Sequence, residues 1–421
     1  MLSRERFRRA ICALVILMLA FIGADSFRAP MDAAASAEDS PYVAHLRGYD
    51  LPWNATAAHA ANQSTFERIL REYETIGASI VLIKGGQIVD VYNFGRANRS
   101  ENTPITDDTL FRVASITKMV TMVGFMRLWE MGNFNLDDDI GKHYDFPIRN
   151  PYYPNDPVTF RQVMTHTASL LDGGHYYRAL NGDVVSLRSV FTGDYATTDF
   201  QPRRPGTYYA YSNFGGSLIG SMIELFTGMT ADEWMAESVY TKMNITASYF
   251  TPNLPEGTQI ARIYNGPDMT MDSMSLTNGD MVDDPEYHYT ITAGSLSIRS
   301  IDLAKVLCVL MGDGTYEGVR IISQTAVETV RTPQNSIGSV SIDTNRGLEL
   351  NIITDALVKG RTLYGHQGKA YGAISAAYFD PTDQSGVVLL TNGCDDSTFN
   401  SVARIARAVM TAAYQMLEKN P

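Results

Sequence analysis

Apolar and polar positions alternate along the chain between strand-like and helix-like patterns, without any internal repeat. Residues 77–92 form two apolar, β-branched runs around Gly85-Gly86, which predicts a β-hairpin. After a short strand-like stretch at 109–114, residues 115–131 are apolar almost all round until Gly132. That pattern predicts a buried, central helix, since a surface helix would keep a polar face. A middle region, about 133–290, mixes short helical patterns with long loops rich in Tyr, Pro and Gly. A helix near 300–311 then precedes strands at 362–365, 373–379 and 386–391, with a turn at Asp380-Pro-Thr-Asp383. An amphipathic helix over about 398–417 closes the chain. Strands from both ends with a helical middle predict an α/β (α+β) fold. One antiparallel sheet is flanked by helices, and a mainly helical lobe is inserted between its parts.

The N-terminus stands apart. Arg4, Arg6, Arg8 and Arg9 precede an apolar run over residues 10–24, the layout of a secretory signal and short for a spanning helix. Cleavage after Ala24, cleavage after Ala37 and retention as a membrane anchor all fit the pattern. On each of them the remainder is exported, so an extracytoplasmic location is expected. Residues 25–65, rich in Ala, Ser, Asp and Asn, read as a linker, which leaves residues 66–417 as the folded body.

Charge narrows the partners. Acidic residues outnumber basic ones 46 to 34, and no Lys/Arg stripe appears, so a nucleic-acid partner is not expected. Three cysteines in 421 residues make no disulfide scaffold. Cys308 and Cys394 read as buried free thiols, with pairing left open. The seven histidines show neither H-x-H nor H-E-x-x-H spacing, so no metal or cofactor is expected. G-x-S-x-G is absent as well, which argues against an α/β-hydrolase.

Three motifs carry the candidate chemistry. Ser115-Ile-Thr-Lys118 opens the most apolar helix and places hydroxyl and amine one turn apart on one face. A neutral lysine there can take the serine's proton, and the helix N-terminus favours a developing anion. Tyr211-Ser-Asn213 follows Pro205-Gly206 and precedes a helical stretch. A tyrosine beside cationic groups can shuttle a proton, and the Asn213 amide can reach both Lys118 and a substrate carbonyl. His366-Gln-Gly368, followed by Lys369, lies on the strand that begins at Thr362, where a glycine lets substrate backbone approach the edge. Each motif alone has a plainer reading: a helix cap with a surface lysine, a loop, and a hairpin edge with a solvent-facing histidine. A second Y-x-N, at Tyr153-Pro-Asn155, shows how common such patterns are.

In order, the three resemble the serine β-lactamase and penicillin-binding protein family, in its class C-like branch. Flanking segments agree: Phe111-Arg-Val-Ala-Ser-Ile-Thr-Lys118, Leu136-Asp-Asp-Asp139, Val163-Met-Thr-His-Thr167, Pro205-Gly-Thr-Tyr-Tyr-Ala-Tyr-Ser-Asn213, Thr292-Ala-Gly-Ser295 and Gly365-His-Gln-Gly368. The resemblance implies a β-lactamase/transpeptidase-like fold over about 66–415. It also implies that Ser115 becomes the acyl-enzyme, that Lys118 and Tyr211 share the proton work, and that Asn213 orients substrate. The backbone N–H groups of Ser115 and Lys369 would form the oxyanion hole, with His366 and Gly368 lining the substrate strand.

One departure bears on the substrate. Lys-Thr-Gly, which serves a substrate carboxylate in the penicillin-recognising branches, is His366-Gln-Gly368 here. The leading expectation is therefore an exported serine hydrolase acting on a D-amino-acid-containing peptide, amide or ester, possible cell-wall fragments included. The alternatives are a DD-carboxypeptidase or class C-like β-lactamase, and a catalytically silent sensor of the same fold. Ser115, Lys118, Tyr211 and Asn213, all present, speak against the silent form. Tyr176, Tyr177, Tyr195, Tyr208 and Tyr209 either line the cleft or pack its loop onto the body. On charge alone, His366→Lys is expected to raise acylation by benzylpenicillin, and an unchanged rate would remove that argument.

Overall fold

The strands read from both ends of the sequence lie side by side in one sheet. The computed structural model describes residues 55–193, 196–265, 270–271, 288–334 and 345–419. The basic and apolar N-terminal segment and Tyr195 lie outside them, and among the described residues no helix is long and apolar enough to cross a membrane. The principal strands are β1 (Gly77–Lys84), β2 (Gln87–Asn98), β3 (Thr103–Pro104), β4 (Leu110–Arg112), β5 (Ala247–Ser248), β6 (Ser297–Arg299), β7 (Arg346–Gly347), β8 (Leu350–Thr354), β9 (Thr362–Ala370), β10 (Ala373–Asp380) and β11 (Ser385–Thr391). The large sheet runs β7-β8-β9-β10-β11-β1-β2-β3. Its centre pairs the two chain ends antiparallel, with Val81 opposite Val388 and Ala78 opposite Thr391. Gly85 and Gly86 both take positive φ (57° and 73°), as the tight hairpin turn between β1 and β2 demands.

The principal helices are α1 (Ala55–Glu72), α2 (Ile116–Glu130), α3 (Asn213–Thr227), α4 (Ser300–Met311) and α5 (Arg404–Lys419). One face packs α1 and α5 onto Ile80, Leu82, Tyr92, Ile374, Leu389 and their neighbours. The other face packs α4, where Ser79 Oγ meets Ser300 Oγ at 2.7 Å. With both faces covered, β10 and β11 are buried at every position. Their sequences therefore run mostly apolar, as at 376–379 and 386–390, instead of alternating. Among the described residues of the inserted region, α3 is joined by several short helices.

Two boundaries differ from the sequence reading. Residues 55–65, assigned to a linker, belong to α1. Its composition is polar, but Phe66, Ile69 and Leu70 recur at helical spacing and bury against the sheet. The last helix begins at Arg404, not near 398, because Thr398–Phe399 and Val402–Ala403 form a small hairpin. Asn400 and Ser401 supply the two positive φ angles of its turn (50° and 63°). Cys308 and Cys394 are both free thiols, one buried and one half-buried.

The structure of α1 has a measurable consequence. Phe66 is fully buried and meets Tyr92 edge-on at 5.1 Å. Phe66→Ala is expected to cost about 3–5 kcal/mol, read as a fall in the urea midpoint. An unchanged midpoint would contradict the packing of α1 on the sheet.

Candidate active site

The β4 strand delivers Ser115 to the start of α2. It pairs with β6, Phe111 opposite Ile298, while Val113 N–H donates to Leu296 O at 3.0 Å and Arg112 Nε to Gly294 O at 2.9 Å. Ala114 then turns the chain through a positive φ of 48°, a conformation a non-glycine residue holds only when its surroundings impose it. Ser115 sits at the N-cap of α2 with φ −63° and ψ −10° and makes no side-chain cap bond. A capping serine spends its oxygen on the first turn; this one is not spent that way.

Lys118, one turn on, is fully buried. Its Nζ donates to Ala293 O at 2.5 Å and Asn213 Oδ1 at 2.8 Å, and lies 3.3 Å from Ser115 Oγ. The plainer reading of S-x-x-K as a cap with a surface lysine therefore fails on both residues. Asn213 opens α3, and its Nδ2 donates to Asp172 Oδ2 at 2.7 Å. The same carboxylate accepts from Ser212 Oγ and from Phe214 N–H, so it fixes which end of the Asn213 amide faces the lysine. Gly216, one turn into α3, completes the pocket: a Cβ there would stand 2.6 Å from both Cδ and Cε of Lys118.

Tyr211 is exposed, with its ring centre 5.2 Å from Lys118 Nζ and tilted against His166 at 4.4 Å between ring centres. The structure thus brings Ser115, Lys118, Tyr211 and Asn213 together. Of the loop tyrosines, Tyr176 is buried as packing, whereas Tyr177 and Tyr208 are exposed.

The third motif arrives on β9, with Gly368 at the contact. A Cβ at Gly368 would lie 2.3 Å from Val113 O and 3.1 Å from Ser115 N, so only glycine lets this strand close on the serine's segment. Its polar side chains turn elsewhere. His366 is buried, not solvent-facing: its Nδ1 lies 2.6 Å from Gln367 O, and its Nε2 lies 3.3 Å from Arg346 Nη2. A guanidinium only donates, so Nε2 accepts and Nδ1 carries the proton of a neutral ring. Burial, followed by the positive charges of Arg346 and Lys118, pushes His366 well below the ordinary imidazole range. Gln367 holds the small C-terminal hairpin through Ser401 O and Ala403 N–H. The Lys369 ammonium pairs with Asp396, 2.9 Å from its carboxylate, so it does not replace a missing charge in the site.

Sequence reasoning missed a buried layer beneath Tyr211. His166 has its Nε2 3.2 Å from Glu349 Oε2, both side chains sealed from solvent, and its Nδ1 accepts from Ser212 N–H. Burial also lowers His166, aided by Arg346 and Lys118 and opposed by Glu349. Asp172, Glu349 and Arg346 belong to no recognised motif. His166 lay within the Val163–Thr167 agreement but had no role assigned. Gly215-Gly216 was a usable signal: two glycines inside a helix each cost about 1 kcal/mol against alanine, which asks for a packing reason.

A serine at a helix N-terminus, an amine against its oxygen and a strand backbone closing on it define a nucleophilic acyl-transfer site. The class is a serine hydrolase of the S-x-x-K type. The comparisons agree: the family model described as Beta-lactamase matches residues 62–410, and the chain belongs to that family. It is 23% identical over 389 residues to Penicillin-binding protein 4* of Bacillus subtilis (strain 168), covering 85% of this chain and 76% of the relative. Its fold is similar to that of the octameric penicillin-binding protein homologue from Pyrococcus abyssi, with a TM-score of 0.67, 22% identity, and 86% and 78% of the two chains covered. The D-amino acid amidase from Ochrobactrum anthropi SV3, complexed with D-phenylalanine, is equally similar, with a TM-score of 0.67, 20% identity, and 87% and 100% covered.

The buried histidines make stability depend on pH. A basic group whose pKa is lower in the folded state is protonated first in the unfolded chain, so stability falls as pH drops below the unfolded value of about 6.5. His366 and His166 are each expected to contribute up to about 1.4 kcal/mol per pH unit below that point. His366→Gln keeps an acceptor for Arg346 and removes its share. A shallower fall of Tm between pH 7 and 5 in that variant is the expected result, and an unchanged slope would refute it.

Proposed function

We infer that the protein is an exported hydrolase working through an acyl-enzyme on Ser115, with a D-amino-acid amide, peptide or ester as substrate. One observation carries the substrate reading: no polar side chain of the His366-Gln-Gly368-Lys369 run is left to hold a substrate carboxylate. His366 is buried against Arg346, Gln367 holds a hairpin and Lys369 is paired with Asp396. The strand offers backbone, which suits a substrate recognised through its own main-chain groups. The likeness in fold to a D-amino acid amidase supports the same class. Export rests on the basic and apolar N-terminal segment.

In this reading Ser115 Oγ bonds to the substrate carbonyl carbon while the C=O π pair moves onto oxygen. The serine proton is taken up by the Lys118–Tyr211 pair; the oxygen pair then re-forms C=O as the bond to the leaving amine or alkoxide breaks, and that group takes the proton. The Ser115 and Lys369 N–H groups face the oxyanion, each worth about 3–4 kcal/mol in the transition state. Water then attacks the Ser115 ester in the same way, its proton passing to Ser115 Oγ as the C–Oγ bond breaks, which frees the acid. Asn213 and Asp172 keep Lys118 in place throughout.

The test combines intact mass with turnover. A fluorophosphonate is expected to add once to the wild type and not to Ser115→Ala, and D-phenylalanine amide or a p-nitrophenyl ester is expected to turn over without a lasting penicilloyl adduct. Adduct formation with benzylpenicillin alone would favour a penicillin-recognising enzyme. No adduct and no turnover with any probe would defeat the reading.

A further inference from the structure

Arg346 is the most unusual residue in the molecule. It lies on β7, at the edge of the large sheet, yet it is only 1% exposed. Its Nη1 donates to Tyr209 Oη at 3.1 Å and its Nη2 to His366 Nε2 at 3.3 Å, while its Nε is buried with no acceptor among the described residues. The guanidinium carbon stands 5.8 Å from the Tyr209 ring centre and 5.7 Å from that of Tyr211. A buried guanidinium without a bonded carboxylate is costly and calls for a reason beyond packing. Sealed as it is, it cannot reach a substrate.

The charges around Tyr211 supply the reason. Lys118 on α2 passes a proton to and fro, so its charge changes during turnover. His366 on β9 and His166 are held neutral by burial, and Lys369 is paired outward. Glu349 faces His166 and also lies near enough to act on Arg346. Of these groups, Arg346 alone keeps a positive charge at every stage, because guanidinium does not lose its proton in proteins. The acylation intermediate gains a negative charge at Ser115, in surroundings where fixed charges act strongly.

We propose that Arg346 is the fixed positive charge of this site, a positioning residue that acts through Tyr211 and His366 and replaces the cation that His366 does not provide. This rests on the acyl-enzyme reading above. It also revises the expected effect of His366→Lys: an ammonium at 366 would meet the buried guanidinium of Arg346, so the single substitution lowers activity. A cation at 366 is tolerated only where that at 346 is removed.

The experiment measures kcat and KM of the full chain for a p-nitrophenyl ester, with fluorophosphonate labelling of Ser115 and the melting temperature of each variant. Arg346→Met is expected to lose about 30-fold or more in kcat with KM within about three-fold, and Arg346→Lys to stay within about five-fold of wild type. His366→Lys is expected to lose activity alone, and His366→Lys with Arg346→Met to regain at least ten-fold over Arg346→Met. Should Arg346→Met fail to fold, Arg346→Lys and the double variant, in which a cation is retained, carry the test against wild type. A folded Arg346→Met within three-fold of wild type overturns the proposal, as does an Arg346→Lys or a double variant as inactive as Ser115→Ala. A wild type that fails to label at Ser115 defeats the acyl-enzyme reading instead, so the two failures are distinguishable.

Discussion

Burying an amine is the constraint around which this molecule is organised. An amine loses its hydration on burial and needs hydrogen-bond partners in its place, and Lys118 is fully buried. Its partners come from different parts of the chain: Ala293 O from the 3-10 turn before β6, Asn213 Oδ1 from the start of α3, and Ser115 Oγ from the N-cap of its own helix. Meeting that need fixes how the inserted lobe sits on the sheet. It also explains why Asp172 is spent on turning one amide, and why α3 carries a glycine where alanine would favour the helix.

The same economy governs the opposite wall. The β9 strand approaches Ser115 so closely that Gly368 cannot carry a side chain, while its neighbours point into the core, into the terminal hairpin and out to Asp396. The strand thus meets a substrate as backbone. Charge in the site is shifted to β7, two strands away, beneath the tyrosine wall, where it acts at a distance.

How much of this the sequence showed depended on whether the signal was local. The β1–β2 hairpin, α2 and α4 were legible because apolar periodicity and glycine turns are properties of a short window. So were Ser115, Lys118, Tyr211 and Asn213, whose spacing is imposed by the helices that present them. Helix α1 was misread because its N-terminal half is Ala, Asn and Gln, and only Phe66, Ile69 and Leu70 declare a buried face. The charge state of His366 was unreadable for a different reason. It depends on Arg346, 20 positions earlier and two strands across, and no window around either residue contains the other's influence. Asp172 escaped likewise, since its partners lie 40 to 42 positions away.

The claim that acylation depends on a lysine held in one place is tested most directly at Gly216, which touches the lysine and nothing else in the reaction. A Cβ there would come 2.6 Å from Lys118 Cδ and Cε, so the side chain must move while the helix gains a better residue. The measurement is the rate of Ser115 labelling by a fluorophosphonate in Gly216→Ala, with the melting temperature alongside. The account predicts a folded protein whose labelling is slowed about 100-fold or more, the scale of losing an aligned proton acceptor. A folded Gly216→Ala labelled at the wild-type rate would contradict it.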